Sequence, residues 1–479
     1  MAEHFPLTIA GGGNPAGQSE VRCPYDDELL GTVETVGEDL AEQAMTTAYG
    51  LYRDRSRWLP VARRLKILER TASLMASRAD ELALAAASEG GKPLMDSKVE
   101  VTRAIEGVHL CVDALKNQAG RQYPMGVNPA SANRLSFSIH EPIGVVVAVS
   151  AFNHPLNLIV HQVGPAIAAG CPVLVKPASS TPLSCFRFVK ILREAGLPEE
   201  WCQVTTTASN AIATSLVSDP RTGFFSFIGS AGVGWMLRSK LAPGARCALE
   251  HGGVAPVVVA RDANLDDALP LLAKGGFYHA GQVCVSVQRV FAHSSIAGEL
   301  ARGLADAGAA MKVGDPRLAD TEVGPLIDPR EVERVHEWVT EAVDAGAELL
   351  TGGAPLDNNC YQPTVLLDAP DEVTISRNEV FGPVICVYSC EDVDQALARA
   401  NSLDVSFQAA VFTRDIDTAL KVYNNIDASA VMINDHTAFR VDWMPFAGLR
   451  TSGHGVGGIE FTFEEMQISK MAVLRSMSL

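Results

Sequence analysis

The chain has 479 residues, of which 47% are hydrophobic and 20% charged, a composition that supplies large cores and excludes a disordered tail, a collagen or a small disulfide scaffold. At about 150 residues to a typical domain, this length accommodates roughly three units. The 39 basic and 56 acidic side chains leave a net charge of −17, which argues against nucleic acid and anionic membranes as partners.

Residues 1–13 lack the long apolar stretch of a secretory leader. Leu59 to Ser88 carries apolar residues at three- and four-residue spacing and predicts two amphipathic helices. A third is expected over Val99 to Lys116. Pro124 to Asn133 reads as a linker, and Arg134 to Ile139 alternates apolar and polar residues like a partly exposed strand. Ile143 to Ser150 is rich in β-branched residues, as expected of a strand buried on both faces. The longest apolar run, Ile143 to Phe152, is about half a membrane span. Pro155 to Gly170 predicts a helix and Pro172 to Lys176 another buried strand. Short strands are expected at Phe224 to Ile228, Pro256 to Val259 and Ser286 to Phe291. Helices follow near Ile296 to Met311, Glu331 to Gly346 and Asp392 to Asn401. This alternation predicts an α/β fold with largely parallel sheets, and a composition change at Gly252 to Ala260 marks a domain boundary. The ten cysteines form no CxxC pair and no Cys/His group with zinc spacing. No metal site is expected, and the thiols read as reduced, in the cytoplasm.

Several residues carry candidate chemistry, each beside a plainer alternative. Cys284, in Gly281-Gln282-Val283-Cys284-Val285-Ser286, is either a small core hydrophobe or a nucleophile toward a carbonyl carbon. Glu250 precedes His251-Gly252-Gly253; the glycines let backbone approach closely, so the carboxylate is either a solvated loop acid or a general base aimed into a cleft. Asn153 follows the buried strand on its carboxyl side, where α/β sheets place ligand crevices. It is either a turn residue or an oxyanion donor. Lys176, in Lys176-Pro177-Ala178-Ser179, also follows a strand and suits ribose hydroxyls or a phosphate. Gly229-Ser230-Ala231-Gly232 leads from a strand into a helix, as pyrophosphate binding at a helix N-terminus requires, although it is not the G-x-G-x-x-G pattern.

The joint order is more specific than any one signal. AFNHP, KPASSTPL, FIGSAGVG, LEHGG, GQVCVSVQR, EVFGPV and MPFAGLRTSG follow one another in a succession that resembles the aldehyde dehydrogenase superfamily, from Arg22 to the C-terminus. The resemblance implies a Rossmann-like NAD(P)-binding domain (1–121 and 142–253), an α/β catalytic domain (254–460) and a small β oligomerisation element (122–141 and 461–479). It also implies a homodimer or dimer of dimers with NAD or NADP as cofactor. Cys284 becomes the nucleophile, Asn153 and the Cys284 backbone N–H the oxyanion donors, and Glu250 the base that hydrolyses the thioester. Glu250 favours hydrolysis over transfer to coenzyme A, because CoA-acylating relatives lack it. Lys176 is assigned to the adenosine ribose, Gly229 and Ser230 to the pyrophosphate, and Glu379 and Phe381 to the nicotinamide end. Ser179 stands where NAD-preferring members carry a glutamate. It therefore tolerates a 2′-phosphate, although a helix-capping serine fits equally.

Departures from the family pattern bear on substrate. His154 replaces an aromatic residue, His251 follows Glu250, Arg440 precedes MPFAG, and Arg103 lies on a helix expected at the substrate mouth. Arg103, His154 and Arg440 are expected to converge as a cationic recess for a small anionic aldehyde; the plainer readings are a solvated helix face for Arg103 and a loop salt bridge for Arg440. The combination resembles the branch that oxidises phosphonoacetaldehyde to phosphonoacetate. Sulfoacetaldehyde, succinate semialdehyde, lactaldehyde and glyceraldehyde 3-phosphate are the alternatives, and non-catalytic reuse of the fold is the alternative of another class. Arg289 reads as structural.

Overall fold

The computed structural model describes residues 2–479. A small N-terminal sheet joins β1 (Glu3–Phe5), β3 (Leu29–Thr35) and β2 (Gly17–Arg22). The helices α1 (Glu38–Arg53), α2 (Val61–Ser77), α3 (Ala79–Gly90) and α4 (Leu94–Asn117) follow, the last three where the apolar spacing places them.

The first large sheet has six strands in the order β20 (Gly453–His454), β10 (Arg246–Glu250), β9 (Thr222–Ile228), β6 (Val145–Val149), β7 (Val173–Lys176) and β8 (Cys202–Val204). All neighbours are parallel except β20 against β10. From β6 the chain winds outward through α5 (Asn157–Ala169) and α6 (Leu183–Glu194), then crosses back through α7 (Asn210–Ser218) to β9 and through α8 (Ala231–Arg238) to β10. The winding reverses between β6 and β9, so the loops leaving their carboxyl ends diverge and open a crevice. Successive side chains of β6 enter different cores: Val146 and Ala148 join the cluster under α4, α5 and α6, while Val145 and Val147 join the one under α1 and α7. That two-sided burial is why the segment reads as a continuous β-branched run.

The second sheet runs β13 (Glu348–Thr351), β14 (Thr364–Leu367), β15 (Val384–Cys390), β12 (Arg289–His293), β11 (Val257–Val259), β17 (Gln408–Phe412) and β18 (Ala430–Ile433), with β13 antiparallel and the rest parallel. The helices α9 (Leu265–Phe277), α10 (Ser294–Ala310) and α11 (Pro329–Asp344) cover it. Arg289 is buried in β12, donating to the Arg399 carbonyl at 3.2 Å and lying 4.9 Å from the Phe291 ring. Its role there is packing. The strand expected from Ser286 starts instead at Arg289. Ser286 N bonds the Val283 carbonyl and Val287 N the Gly275 carbonyl, which closes a turn around Cys284 before the ladder begins. Two further sheets join β16 (Val405–Ser406) with β19 (Leu449–Arg450), and β21 (Gln467–Arg475) with β5 (Arg134–Pro142) and β4 (Gln122–Tyr123). Among the described residues no helix is long and apolar enough to cross a membrane.

Two helices that frame the crevice begin without a side-chain cap of their own. Their orphan amides are satisfied from elsewhere. Glu100 on α4 accepts from the Leu156 and Asn157 amides at 2.9 and 3.0 Å, while its other oxygen pairs with Lys92; both side chains are fully buried. Glu89 on α3 accepts from the Leu183 and Ser184 amides, each at 2.7 Å. A carboxylate at a helix N-terminus also meets the positive end of the peptide dipoles. Glu100 thereby anchors the Asn153-His154-Pro155 turn that delivers a key amide.

Candidate active site

A cavity of about 620 Å³ lies where the carboxyl ends of β6, β9 and β10 face the turn before β12. It is lined by Cys284, Asn153 and Glu250, by Gly229, Ser230, Glu379 and Phe381, and by Arg103, His154 and Arg440. These are the expected site residues apart from Lys176 and Ser179. A larger surface depression of about 810 Å³, beside Trp235, Arg238 and Glu465, contains none of them.

Cys284 sits at the turn, behind a strained approach. His279 and Ala280 are non-glycine residues at φ 49° and 52°, held in the left-handed region by the packing around them. Gln282 pins the segment from inside, donating to the His279 and Pro325 carbonyls and accepting from the Ile327 amide. Its own carbonyl accepts from Asn153 Nδ2 at 2.9 Å. The asparagine is therefore tied to the cysteine loop through one N–H of its amide. Among the described residues the Cys284 backbone N–H has no acceptor, so it is available for an oxygen of a group bound to Cys284.

Burial pushes the Cys284 thiol well up; Glu379 and Glu250 add to that, while Arg440 pulls it down. Burial likewise pushes Glu250 up to about 7 and Glu379 up to about 8. A Cβ at position 457 would overlap the Glu250 carboxylate, and one at 252 would overlap Glu379, so each glycine is needed for a carboxylate to come that close. The glycines after Glu250 thus admit a different acid from the one the sequence suggested. His251 turns away from the reaction side: its Nδ1 lies 2.9 Å from the Thr451 carbonyl, and its ring packs edge-on against Phe227 and Trp235.

One end of the cavity fits a dinucleotide. Gly229 and Ser230 line it at the start of α8, Phe381 packs edge-on against Phe152 at 5.8 Å, and Glu379 presents a buried oxygen with no partner. Free amides at a helix start suit a pyrophosphate, and an unpartnered buried carboxylate suits ribose hydroxyls. Lys176 is half-buried at the end of β7, its Nζ 3.4 Å from the Pro177 carbonyl, and Ala178 rather than Lys176 reaches the cavity wall. Ser179 is exposed in the turn before α6 and does not cap that helix, a task Glu89 performs.

At the other end the expected three-cation recess is corrected. Burial, reinforced by Lys92 and Arg103, holds His154 well below its ordinary range, and its Nε2 lies 3.2 Å from the Tyr278 hydroxyl. It is a neutral hydrogen-bonding group. Arg103 is committed to Asp442 through Nε at 3.1 Å and Nη2 at 2.6 Å. Arg440 is less engaged, its Nε lying 3.8 Å from Asp442. Its side chain is 8% exposed, its guanidinium stacks 3.9 Å from the Phe446 ring, and both terminal nitrogens are buried without a partner. Burial lowers it to about 10, still charged at neutral pH.

Sequence reasoning missed Tyr278, His161, Asp442 and Phe446. Tyr278 lies six positions before the cysteine, and Asp442 lies two after Arg440, so proximity to named residues was the available signal. Phe446 lies within the MPFAG segment already singled out, and His161 had no such signal. Arg334 and Trp338 on α11 also line the cavity.

Comparison with known proteins agrees with this arrangement. The model of the aldehyde dehydrogenase family matches residues 13–472. A 3-sulfolactaldehyde dehydrogenase of Priestia aryabhattai is 35% identical over 459 residues, 96% of this chain and 95% of that protein. The crystal structure of aldehyde dehydrogenase 21 from Physcomitrella patens, in complex with the reaction product succinate, superimposes with a TM-score of 0.95 at 30% identity, covering 100% of this chain and 99% of that one. A glyceraldehyde-3-phosphate dehydrogenase of Methanocaldococcus jannaschii complexed with NADP superimposes at 0.91 and 33% identity, covering 97% and 100%. A family match over nearly the whole length, with a thiol, an amide and a carboxylate meeting at one crevice, establishes that the chain belongs to the aldehyde dehydrogenase family.

Proposed function

We propose that this chain oxidises a short aldehyde bearing an anionic head group to the carboxylic acid, with NAD or NADP as the oxidant. The observation that carries the reading is Arg440, a buried, charged guanidinium with both terminal nitrogens unpartnered, lining the same cavity as Cys284. Buried charged donors without hydrogen-bond partners are costly unless a ligand supplies them.

The Cys284 thiol gives up its proton to water, and the ionised sulfur adds to the aldehyde carbon. The oxygen that gains charge is met by the free N–H of Asn153 and the Cys284 amide, and losing one such donor costs about 2.7–4 kcal/mol of barrier in comparable sites. When bound, NAD or NADP accepts the hydride whose loss turns the thiohemiacetal into a thioester. Glu250 then takes a proton from water, the hydroxide adds to the thioester carbon, and the C–S bond breaks to release the acid and regenerate the thiol. Glu379 would hold the ribose of the bound cofactor at the far end, and the amides at the start of α8 would hold its pyrophosphate.

The sequence features favour phosphonoacetaldehyde. Sulfoacetaldehyde, succinate semialdehyde, lactaldehyde and glyceraldehyde 3-phosphate complete the panel, and the compared proteins are named for a sulfonated aldehyde, a dicarboxylate product and a phosphorylated aldehyde. The domain division at 121, 141, 253 and 460 belongs to this reading. So do a cytoplasmic location and a homodimer or dimer of dimers, built through the edge strand β21. Non-catalytic reuse of the fold is disfavoured by the retention of Cys284, Asn153 and Glu250 around one cavity. The test is nicotinamide reduction with this panel and with neutral propanal. Charged aldehydes should give the higher kcat/KM, and Cys284→Ser should abolish the signal; indifference to head-group charge would remove the role assigned to Arg440.

A further inference from the structure

Asp442 is fully buried and ties three elements together. Its carboxylate holds Arg103 of α4 in two hydrogen bonds at 3.1 and 2.6 Å, accepts from His161 of α5 at 2.9 Å, and lies 3.8 Å from Arg440 Nε. Burial opposes its ionisation, yet His161 and Arg103 hold it well below the usual carboxylate range. Burial lowers His161, against the pull of Asp442. The charges of the recess are those of Arg103 and Arg440, less that of Asp442 and, where it is ionised, that of Glu250. Around them His154 and Tyr278 are uncharged, and Lys92 is cancelled by Glu100. With Glu250 protonated, one positive charge is left over, on Arg440, whose terminal nitrogens have no hydrogen-bond partner.

We infer that Asp442 sets the recess for head groups carrying one negative charge, a sulfonate or a carboxylate, and against doubly charged phosphonates and phosphate esters. It acts without touching the substrate, by cancelling Arg103 and by lying 3.8 Å from Arg440 Nε, which leaves both Nη groups without a protein partner. It is a positioning residue. A second negative charge on the ligand would enter a desolvated recess with no cation to meet it. This inference rests on Arg440 as the head-group anchor, and within that substrate class it displaces phosphonoacetaldehyde, which the sequence features alone favour, in favour of a sulfonated or carboxylated aldehyde.

The experiment compares kcat/KM for propanal, sulfoacetaldehyde and phosphonoacetaldehyde in the full-length protein, at one pH where the phosphonate is a dianion. A single pH also makes the charge on Glu250, which Arg440 feels, common to all variants. The parent should favour the sulfonate over the phosphonate by about tenfold, equivalent to about 1.4 kcal/mol. Asp442→Asn adds one positive charge and should shift that ratio toward the phosphonate by about tenfold or more. Arg103→Met removes one and should depress both anions relative to propanal. The double variant returns to one net charge and should restore the parental ratio, which no structural loss at Asp442 would do. An unmoved ratio in Asp442→Asn, with the anion preference over propanal intact, overturns the inference and spares the anchor. No anion preference in the parent overturns the anchor first. Should Asp442→Asn fail to fold, Arg103→Met decides alone, and an unchanged anion-to-propanal ratio refutes the charge count.

Discussion

Replacing Arg440 with methionine keeps much of the buried volume and removes the charge. Hydrogen bonds to a charged group contribute about 1.5–3 kcal/mol, so kcat/KM for an anionic aldehyde should fall about ten- to 150-fold. Propanal, which has nothing for the guanidinium to hold, should change little. The same substitution bears on the empty protein. Each buried donor left without a partner costs about 1–3 kcal/mol, against which the stacking of Arg440 on Phe446 returns about 2 kcal/mol or less. With two such donors the cost equals or exceeds the stacking, so the variant should melt no lower than the parent by thermal unfolding without ligand. Steady-state kinetics with one charged and one neutral aldehyde, read beside that melt, separates the possibilities. Equal losses for both aldehydes, or a variant clearly less stable than the parent, would show that Arg440 is part of the scaffold and refute the argument.

Because burial pushes Glu250 up to about 7 and the base must be ionised to take a proton from water, turnover limited by thioester hydrolysis should rise with pH through about 7 and level off above it. Glu250→Gln should stop after one equivalent of reduced nicotinamide per Cys284; rapid-mixing absorbance reads both, and a limb near the ordinary carboxylate value would contradict the burial argument. Lys92→Met should strand Glu100 as a buried, unpaired carboxylate and cost about 3–5 kcal/mol in denaturant unfolding. Lys92→Met with Glu100→Gln should recover most of that loss, and a mild single variant beside an equally damaged double would refute the pairing.

Much of the scaffold was legible because two-sided burial leaves an unmistakable run of β-branched residues, as at Val145 to Val149, and because one-sided helices repeat their apolar positions. The places where the reading slipped are those where hydrogen bonds to distant backbone compete with the ladder, as at Ser286 to Gln288. The starts of α5 and α6 carry no capping signal of their own, since Glu100 and Glu89 reach them from helices far back in the chain. A local motif search cannot find a cap of that kind.

The site divides the same way. Cys284, Asn153 and Glu250 were readable because each follows or precedes a strand within a recognisable string of neighbours, and backbone geometry carries the side chain along with it. The charge of the recess was not. Arg103 and Asp442 stand 339 positions apart, and nothing in either neighbourhood announces that one neutralises the other. The amino-acid sequence by itself determined the chemistry on offer, a thiol, an amide and an acid at the ends of parallel strands, because local patterns specify strands and their ends. Only the tertiary structure decided which cations remain free to meet a substrate, because the charge left in a buried recess is a sum over partners that folding alone brings together.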